Sequence, residues 1–519
     1  MVAMAATPAA AQTYTVLYSF DPVRGVSPVG PISQGRDGGL SGTTQGGGAY
    51  HHGVVFQISA SGTPKVVYKF NDDVQSGTSS GLTLGQDGKF YGGTGSGGTY
   101  GYGTIFKLTP GGSLTTLYNF TGGKDGGGLP IAPPIQGTDG SLYGTTNSPT
   151  TPYQGNAYKI STSGSFTLLA ALPGGSAAPL IQATDGNFYG TTTGDDGTHL
   201  YGTVFKLTPQ GTLTVVYKFD AGRVSGPVIQ GRDGNFYGAT DGVVFKLTPR
   251  GSMTVLHRFG DPNYPNDGWN AFGGLVEATD GNFYGVTRNG GTHQCGVIYQ
   301  ITPARLYSIL YNFDAWAPGN ALGYLPSSTP IQHTNGKIYG ATGAGGANLL
   351  GLIYSLDLGL APFVRLVSTS GKVGTSITIL GQGFTGASSV SFNGTPATFK
   401  VWADTFLKAT VPSGATTGSV TVTTASGTLT SDYTFRVHPV ILGVIPGTSA
   451  AGIPVVITGT SLTQTTKVTF GGGKAAATFT VDSDSQVTAT VPAGTATGYI
   501  VLTTEGGRSR SSDTFTVTP

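Results

Sequence analysis

Apolar and polar residues alternate from Thr212 to Phe219, so Leu213, Val215, Tyr217 and Phe219 are predicted to share one face of a strand. No helical period surrounds it. Pro179-Leu180-Ile181-Gln182 is a short apolar run, and Thr184-Asp185-Gly186-Asn187 is a turn. Asp-Gly between apolar runs signals a hairpin, because glycine accepts positive φ without a Cβ clash. Phe188 to Thr192 is the next strand, Gly194 to Gly202 a polar loop, Thr203 to Thr208 a third strand, and Pro209-Gln210-Gly211 a turn. The unit is thus four antiparallel strands, A to D. Such a unit cannot bury both faces alone and must pack against copies of itself.

Copies are present. The A–B turn phrase reads DGNFYG from Asp185, Asp233 and Asp280, with looser forms from Asp37, Asp87, Asp139 and Asn335. Strand D recurs from Thr15, Lys65, Thr115, Phe166, Thr214, Thr254 and Ser308. A four-stranded unit repeating about every fifty residues is the pattern of a β-propeller. The first strand D precedes the first turn phrase, and the last turn phrase has no strand D after it. Strand 15–20 is therefore predicted to complete the seventh blade and close the ring, removing two exposed sheet edges. The expected fold is all-β: a seven-bladed β-propeller over 13–360, followed by two immunoglobulin-like β-sandwich domains over 361–438 and 439–519.

The DGxFYGTT, GTVFKLTP and TVLYxF phrases, recurring in register, resemble the GloVer-type tandem repeat of bacterial "choice-of-anchor" surface proteins. That resemblance implies export and surface display, and it carries over no catalytic residue. The last third holds two matching segments, among them GKVGTSITILGQGF from Gly371 against AAGIPVVITGTSL from Ala450. Both resemble IPT/TIG immunoglobulin-like domains, which occur in DNA-binding factors, surface receptors and extracellular bacterial proteins.

Composition narrows the partners. The formal net charge is +2 and no basic stripe emerges, which argues against a nucleic-acid partner. The two last segments are accordingly read as a spacer or stalk. The single cysteine, Cys295, excludes a disulfide within the chain and reads as a small buried hydrophobe. No apolar run is long enough to span a membrane. Residues 1–12 end in Ala9-Ala10-Ala11, which reads as the remnant of an export signal or as an Ala-rich tail.

In a propeller the B–C and D–A loops open on one face and the tight turns on the other. The expected ligand site is therefore the loop face: His51, His52, Tyr100, Tyr153, His199, Tyr201, Tyr264, Asp267, Trp269, His293, Asp314 and Trp316. Aromatic rings there would stack on sugars, and carboxylates or amides would bond hydroxyls. The competing reading is that the aromatics brace Gly-rich loops and the histidines are solvated. The recurring Asp of the turn phrase reads as a turn former. Asp72-Asp73 and Asp195-Asp196 lack EF-hand spacing, and His51-His52 with His199 or His293 are suggested as a metal site only by residue type. No catalytic residue, metal or cofactor is assigned.

The functional reading is an exported or cell-surface, non-enzymatic binding protein whose ligand is a polysaccharide or a surface protein. One alternative is a polysaccharide-acting hydrolase or lyase, which a carboxylate pair about 5–10 Å apart across the mouth would favour. Another is a structural component of the cell envelope or matrix.

Overall fold

A computed structural model describes residues 12–71, 80–123, 127–147, 154–176, 178–194, 201–224, 226–264, 266–271, 273–315, 322–326 and 328–519. The chain divides into two compact units between Ala361 and Pro362. Both are all-β, with no α-helix among the described residues; the sheets are antiparallel except for two short parallel pairs in the second unit, Ser370–Gly371 with Arg436–Val437 and Thr448–Ala450 with Thr516–Thr518.

The first unit is propeller-like. Among the described residues its strands form seven sheets, six of four strands in A-B-C-D order and the last of five, in which Tyr324–Pro326 and Ile331–Gln332 both pair with Ile338–Ala344. In sheet 4 these are Ile181–Gln182, Phe188–Thr192, Thr203–Leu207 and Leu213–Lys218. Sheet 7 takes its outer strand from the start of the chain: Thr13–Ser19 pairs antiparallel with Leu352–Asp357. Apolar clusters fill the junctions between consecutive sheets. The cluster after sheet 7 returns to sheet 1, joining Phe20, Tyr339 and Ile353 to Ile32, Leu40, Val54 and Phe56. Cys295 is buried between sheets 6 and 7.

Strand D departs from the simple alternation. Every C–D pairing has a register shift, and in sheet 4 it leaves Val216 unpaired between Val215 and Tyr217. A bulge adds one residue and reverses the facing of the residues beyond it. Leu213 therefore packs toward sheet 3, while Val216, Tyr217 and Phe219 pack toward sheet 5. The single shared face expected for Leu213, Val215, Tyr217 and Phe219 is thus corrected: strand D serves two junctions.

The turn phrase owes its form to one carboxylate. In Asp185-Gly186-Asn187-Phe188-Tyr189, one Asp185 oxygen accepts the Asn187 N–H at 3.0 Å and the other accepts the Tyr189 hydroxyl at 3.0 Å. Asp87–Tyr91, Asp139–Tyr143, Asp233–Tyr237 and Asp280–Tyr284 repeat the hydroxyl bond at 2.7–3.1 Å. Where the first copy has Ser41 in place of tyrosine, Gln57 Nε2 donates to Asp37 instead, at 2.7 Å. At Asp233, bonds from Lys246, Asn235 and Tyr237 outweigh partial burial and bring the carboxyl down to about 2.

A second set of bonds ties sheet to sheet. The strand-A side-chain oxygens of Gln136, Gln182, Gln230, Glu277 and Gln332 each accept a backbone N–H just before the turn phrase of the preceding sheet, at 2.8–3.0 Å. Gln34 does the same across the closing junction, accepting from Thr334 N–H at 3.1 Å. Sheet 2 has Leu84 at this position, and there the Arg36 guanidinium reaches Gln86 O at 2.6 Å.

Strand C carries buried Phe56, Phe106, Phe205 and Phe245 in four sheets and buried Tyr158, Tyr299 and Tyr354 in the others. Among the described residues those three hydroxyls meet no partner, and burial raises all three well above the ordinary tyrosine value. An unpaired buried hydroxyl costs about 1–3 kcal/mol. Replacing each tyrosine with phenylalanine, already used by the other sheets, is expected to hold or raise the melting temperature. A fall of several degrees at any of the three sites would contradict that expectation.

The second unit holds two sandwiches with separate cores, one around Phe384, Phe392 and Phe435 and one around Phe470 and Phe515.

Candidate functional site

The loops after strands B and D meet at one end of the first unit and interlock through the backbone. Gly48 N–H donates to Pro22 O at 2.9 Å, Leu129 N–H to Tyr102 O at 2.9 Å, and Trp269 N–H to Asn289 O at 3.0 Å. A buried threonine closes the base of several B–C loops. Thr44, Thr94, Thr192 and Thr287 each accept the first N–H of strand C through Oγ1, at 3.0–3.2 Å.

Above that base a glycine bracket recurs. Gly103 shows why: at φ +90°, a Cβ would lie 2.1 Å from Thr94 O. The bracket fixes the loop while its tip varies, reading Tyr50-His51, Tyr100-Gly101, His293-Gln294 and Asn348-Leu349. His51 and Gln294 hold a left-handed backbone at φ 62° and 59°.

The tips divide the loop tyrosines into two kinds. Tyr102 is a brace, with Gly122 and Gly128 packed so close that neither has room for a Cβ beside it. Tyr50, Tyr100 and Tyr201 face water, at 52%, 57% and 41% exposure. His51 and His293 are also exposed, and His52 is half-buried. His293 Nδ1 lies 3.8 Å from Asp314 Oδ1. Burial and this same Asp314 carboxylate push the Tyr311 hydroxyl up to about 12.

The long loop between sheets 5 and 6 carries the densest group. Sheet 5 has only Thr240-Asp241-Gly242 between strands B and C, and Asn270 N–H of the long loop donates to Asp241 O at 3.2 Å. Tyr264 and Trp269 are exposed on this loop, at 40% and 49%. Asp267 lies between them in sequence but is buried. Its carboxylate meets His257 Nε2 at 2.8 Å and accepts Gly260 N–H at 3.0 Å. His257 stacks on Tyr307 at 3.8 Å and 7°, and Tyr264 stands edge-on to His257 at 5.2 Å. Tyr307 donates its hydroxyl to Asp267 O. Asp267, expected at the surface, is therefore an internal clasp, because His257 and the Gly260 N–H take its oxygens.

The sequence signal for the clasp is a departure from the repeat. The position is tyrosine in five of the strand-D copies, at Tyr18, Tyr68, Tyr118, Tyr217 and Tyr311, and histidine in sheet 5. Tyr50, next to His51, is an exposed tip residue outside the expected set. Tyr153, His199 and Trp316 lie outside the described residues, as do Asp72, Asp73, Asp195 and Asp196. Among the described residues no group of three or more His, Cys, Asp or Glu is placed to hold a metal ion. No helix among them is long and apolar enough to cross a membrane.

The family profile of the Gloeobacter/Verrucomicrobia repeat matches residues 5–177, 73–242 and 239–386. That of the IPT/TIG domain matches residues 362–437 and 439–518. No curated protein matches the sequence. Among solved structures, a streptogramin B lyase is 16% identical, with 67% of this chain and 97% of that one covered and a TM-score of 0.45. A periplasmic gluconolactonase of Pseudomonas aeruginosa is 15% identical, with 64% and 99% covered and a TM-score of 0.41. A surface glycan-binding protein of Prevotella bryantii is 21% identical, with 30% and 41% covered and a TM-score of 0.23.

Proposed function

The chain belongs to the Gloeobacter/Verrucomicrobia repeat family and carries two IPT/TIG domains, and from this we propose that it is an exported, cell-surface glycan-binding protein. In this reading the seven sheets are the blades of a seven-bladed β-propeller over 13–360, closed by its first strand and presented on the two IPT/TIG modules. The return of the packing from sheet 7 to sheet 1 supports that count.

The observation that carries the binding reading is the set of exposed aromatics at the loop end. Tyr50, Tyr100, Tyr201, Tyr264 and Trp269 all keep two-fifths or more of their surface in water. A large aromatic side chain left in water at a loop tip forgoes the burial that stabilises its counterparts inside the sheets. The tips are also where the copies differ, while the bracket that holds them is shared. Flat apolar rings beside backbone amides suit a sugar, whose ring has apolar faces and hydroxyl edges. His51, His52 and His293 with Asp314 would supply polar contacts on the same end, and Asp267 would act by holding Tyr264 and Trp269 in place. Tyr153, His199 and Trp316 belong to the same proposed set by their position in sequence.

The test is a polysaccharide array of plant, algal and bacterial origin, probed with the full chain. We expect binding to at least one neutral polysaccharide, weakened about tenfold or more by Trp269→Ala or Tyr100→Ala, the loss of roughly 1.4 kcal/mol or more. Silence across the array, or binding indifferent to both substitutions, would sink this reading.

A further inference from the structure

The two sandwiches of the second unit share one plan but differ on one outer face. In each, a hairpin forms the edge of a four-stranded sheet: Phe399–Ala403 with Phe406–Thr410, and Phe479–Ser483 with Gln486–Thr490. Their registers correspond residue by residue. Phe399 faces Ala409 and Lys400 faces Lys408, as Phe479 faces Ala489 and Thr480 faces Thr488. Each then has a bulge at the equivalent place, at Trp402 and at Asp482. Leu407 and Ala409, like Val487 and Ala489, point into the cores. The alternate residues therefore face outward.

In the second sandwich the outward residues satisfy one another. Asp482 accepts the hydroxyls of Thr488 at 2.7 Å and Thr480 at 3.1 Å, and the Gln486 amide at 3.1 Å. The first sandwich puts lysine at both threonine positions and tryptophan at the aspartate position. Lys400 and Lys408 stand directly opposite each other, an arrangement of like charges that disfavours the sheet. Among the described residues neither ammonium meets a carboxylate. Asp404, the acid nearest in sequence, is turned to the backbone N–H groups of Gly383 and Thr385. Trp402 is 57% exposed, with Lys400 Nζ 4.4 Å from its ring centroid. The fold does without all three residues in its second copy, so their presence in the first calls for a ligand rather than for packing.

We infer that this face binds an acidic polysaccharide, one carrying uronate carboxylates or sulfate esters. Lys400 and Lys408 meet the anionic groups, and the Trp402 ring stacks on the apolar face of a sugar. Charge complementarity selects an anionic partner. Two cations and one ring on a short hairpin offer few phosphate contacts, so a nucleic acid, whose affinity comes largely from such contacts, would be held weakly here. The site is independent of the loop end of the first unit.

The experiment is affinity electrophoresis of the full chain in gels containing polygalacturonate or a sulfated galactan, with dextran as the neutral control. Retardation is expected in one or both acidic gels and is expected to weaken with added salt. Lys400→Thr with Lys408→Thr, the residues of the second sandwich, is expected to weaken binding about tenfold or more. Trp402→Ala is a second, independent probe with the same expected direction. Tyr100→Ala and Trp269→Ala should leave this retardation unchanged, so the two binding readings fail separately. Absence of retardation in both acidic gels overturns the proposal. So does equal retardation of the double lysine variant with its melting temperature preserved, or tighter binding to a single-stranded oligonucleotide than to either polysaccharide.

Discussion

A chain beginning at Asp21 is expected to lose the cooperative folding of its first unit while the second unit still melts. The missing strand, Thr13–Ser19, has six residues in register along Leu352–Asp357. Tyr14 stacks on Tyr311 at 3.9 Å and 5°, and its hydroxyl donates to Leu322 O at 2.7 Å. Phe20 is fully buried and meets Phe56 edge-on at 5.0 Å, across the junction between sheets 7 and 1. Burying Phe20 fully contributes roughly 1.5–3 kcal/mol gross, and the half-buried Tyr14, Val16 and Tyr18 add smaller amounts. A domain's whole stability is about 5–15 kcal/mol. Removing the strand also exposes the edge of Leu352–Asp357, a template for aggregation. Calorimetry of the truncated chain should show the transition of the second unit alone. A synthetic peptide of residues 12–20 should restore part of the missing transition. If the truncated chain melts as the full one does, the closing role of the strand is wrong.

Much of this was legible in the sequence, and the part that was not has a physical reason. Alternation, turn chemistry and repeat register are local, and they predicted four-stranded units and the pairing of the first strand with the last sheet. The carboxylate–tyrosine bond inside the turn phrase is local too, but it needs the turn's geometry before Asp185 and Tyr189 can be seen to touch. The bulge in strand D escaped because Val215 and Val216 are equally apolar and either reads as the buried position. The bonds from Gln182 and Gln230 to the preceding sheet escaped because each partner lies about one repeat away, and register in sequence says nothing of which neighbour is touched. At the candidate site, sequence named Tyr100 and not Tyr102, but only the structure shows the difference between them: Tyr100 faces water and Tyr102 packs on Gly122 and Gly128. Asp267 was misplaced because an aspartate in a polar loop ordinarily points outward. Only the substitution of His257 for the repeat's tyrosine marked its partner. The Lys400, Lys408 and Trp402 face emerges only when the two sandwiches are aligned strand on strand.

Replacing Asp267 with alanine is expected to release the loop between sheets 5 and 6 and to abolish binding that depends on Tyr264 and Trp269. The substitution strips His257 of its partner inside the protein and orphans the Gly260 N–H. Each buried donor left unsatisfied in this way costs about 1–3 kcal/mol. Tyr307 also loses the well-placed acceptor that the ordered loop provides. The groups facing His257 are Asp267, Tyr264 and Tyr307, with Asp261 nearby. Burial holds the imidazole below its ordinary 6.5, against the pull of Asp267. The folded state therefore binds fewer protons than the unfolded chain as pH falls past 6.5. The stability this arrangement contributes is full above that value and declines below it. His257→Tyr, which restores the repeat's own residue, should flatten that decline. Melting temperature across mildly acidic to neutral pH checks the sign: wild type should fall toward acid and the tyrosine variant should fall less. Should Asp267→Ala keep both the wild-type melting temperature and wild-type glycan binding, the clasp does not hold the loop, and the exposed aromatics owe their placement to the backbone alone.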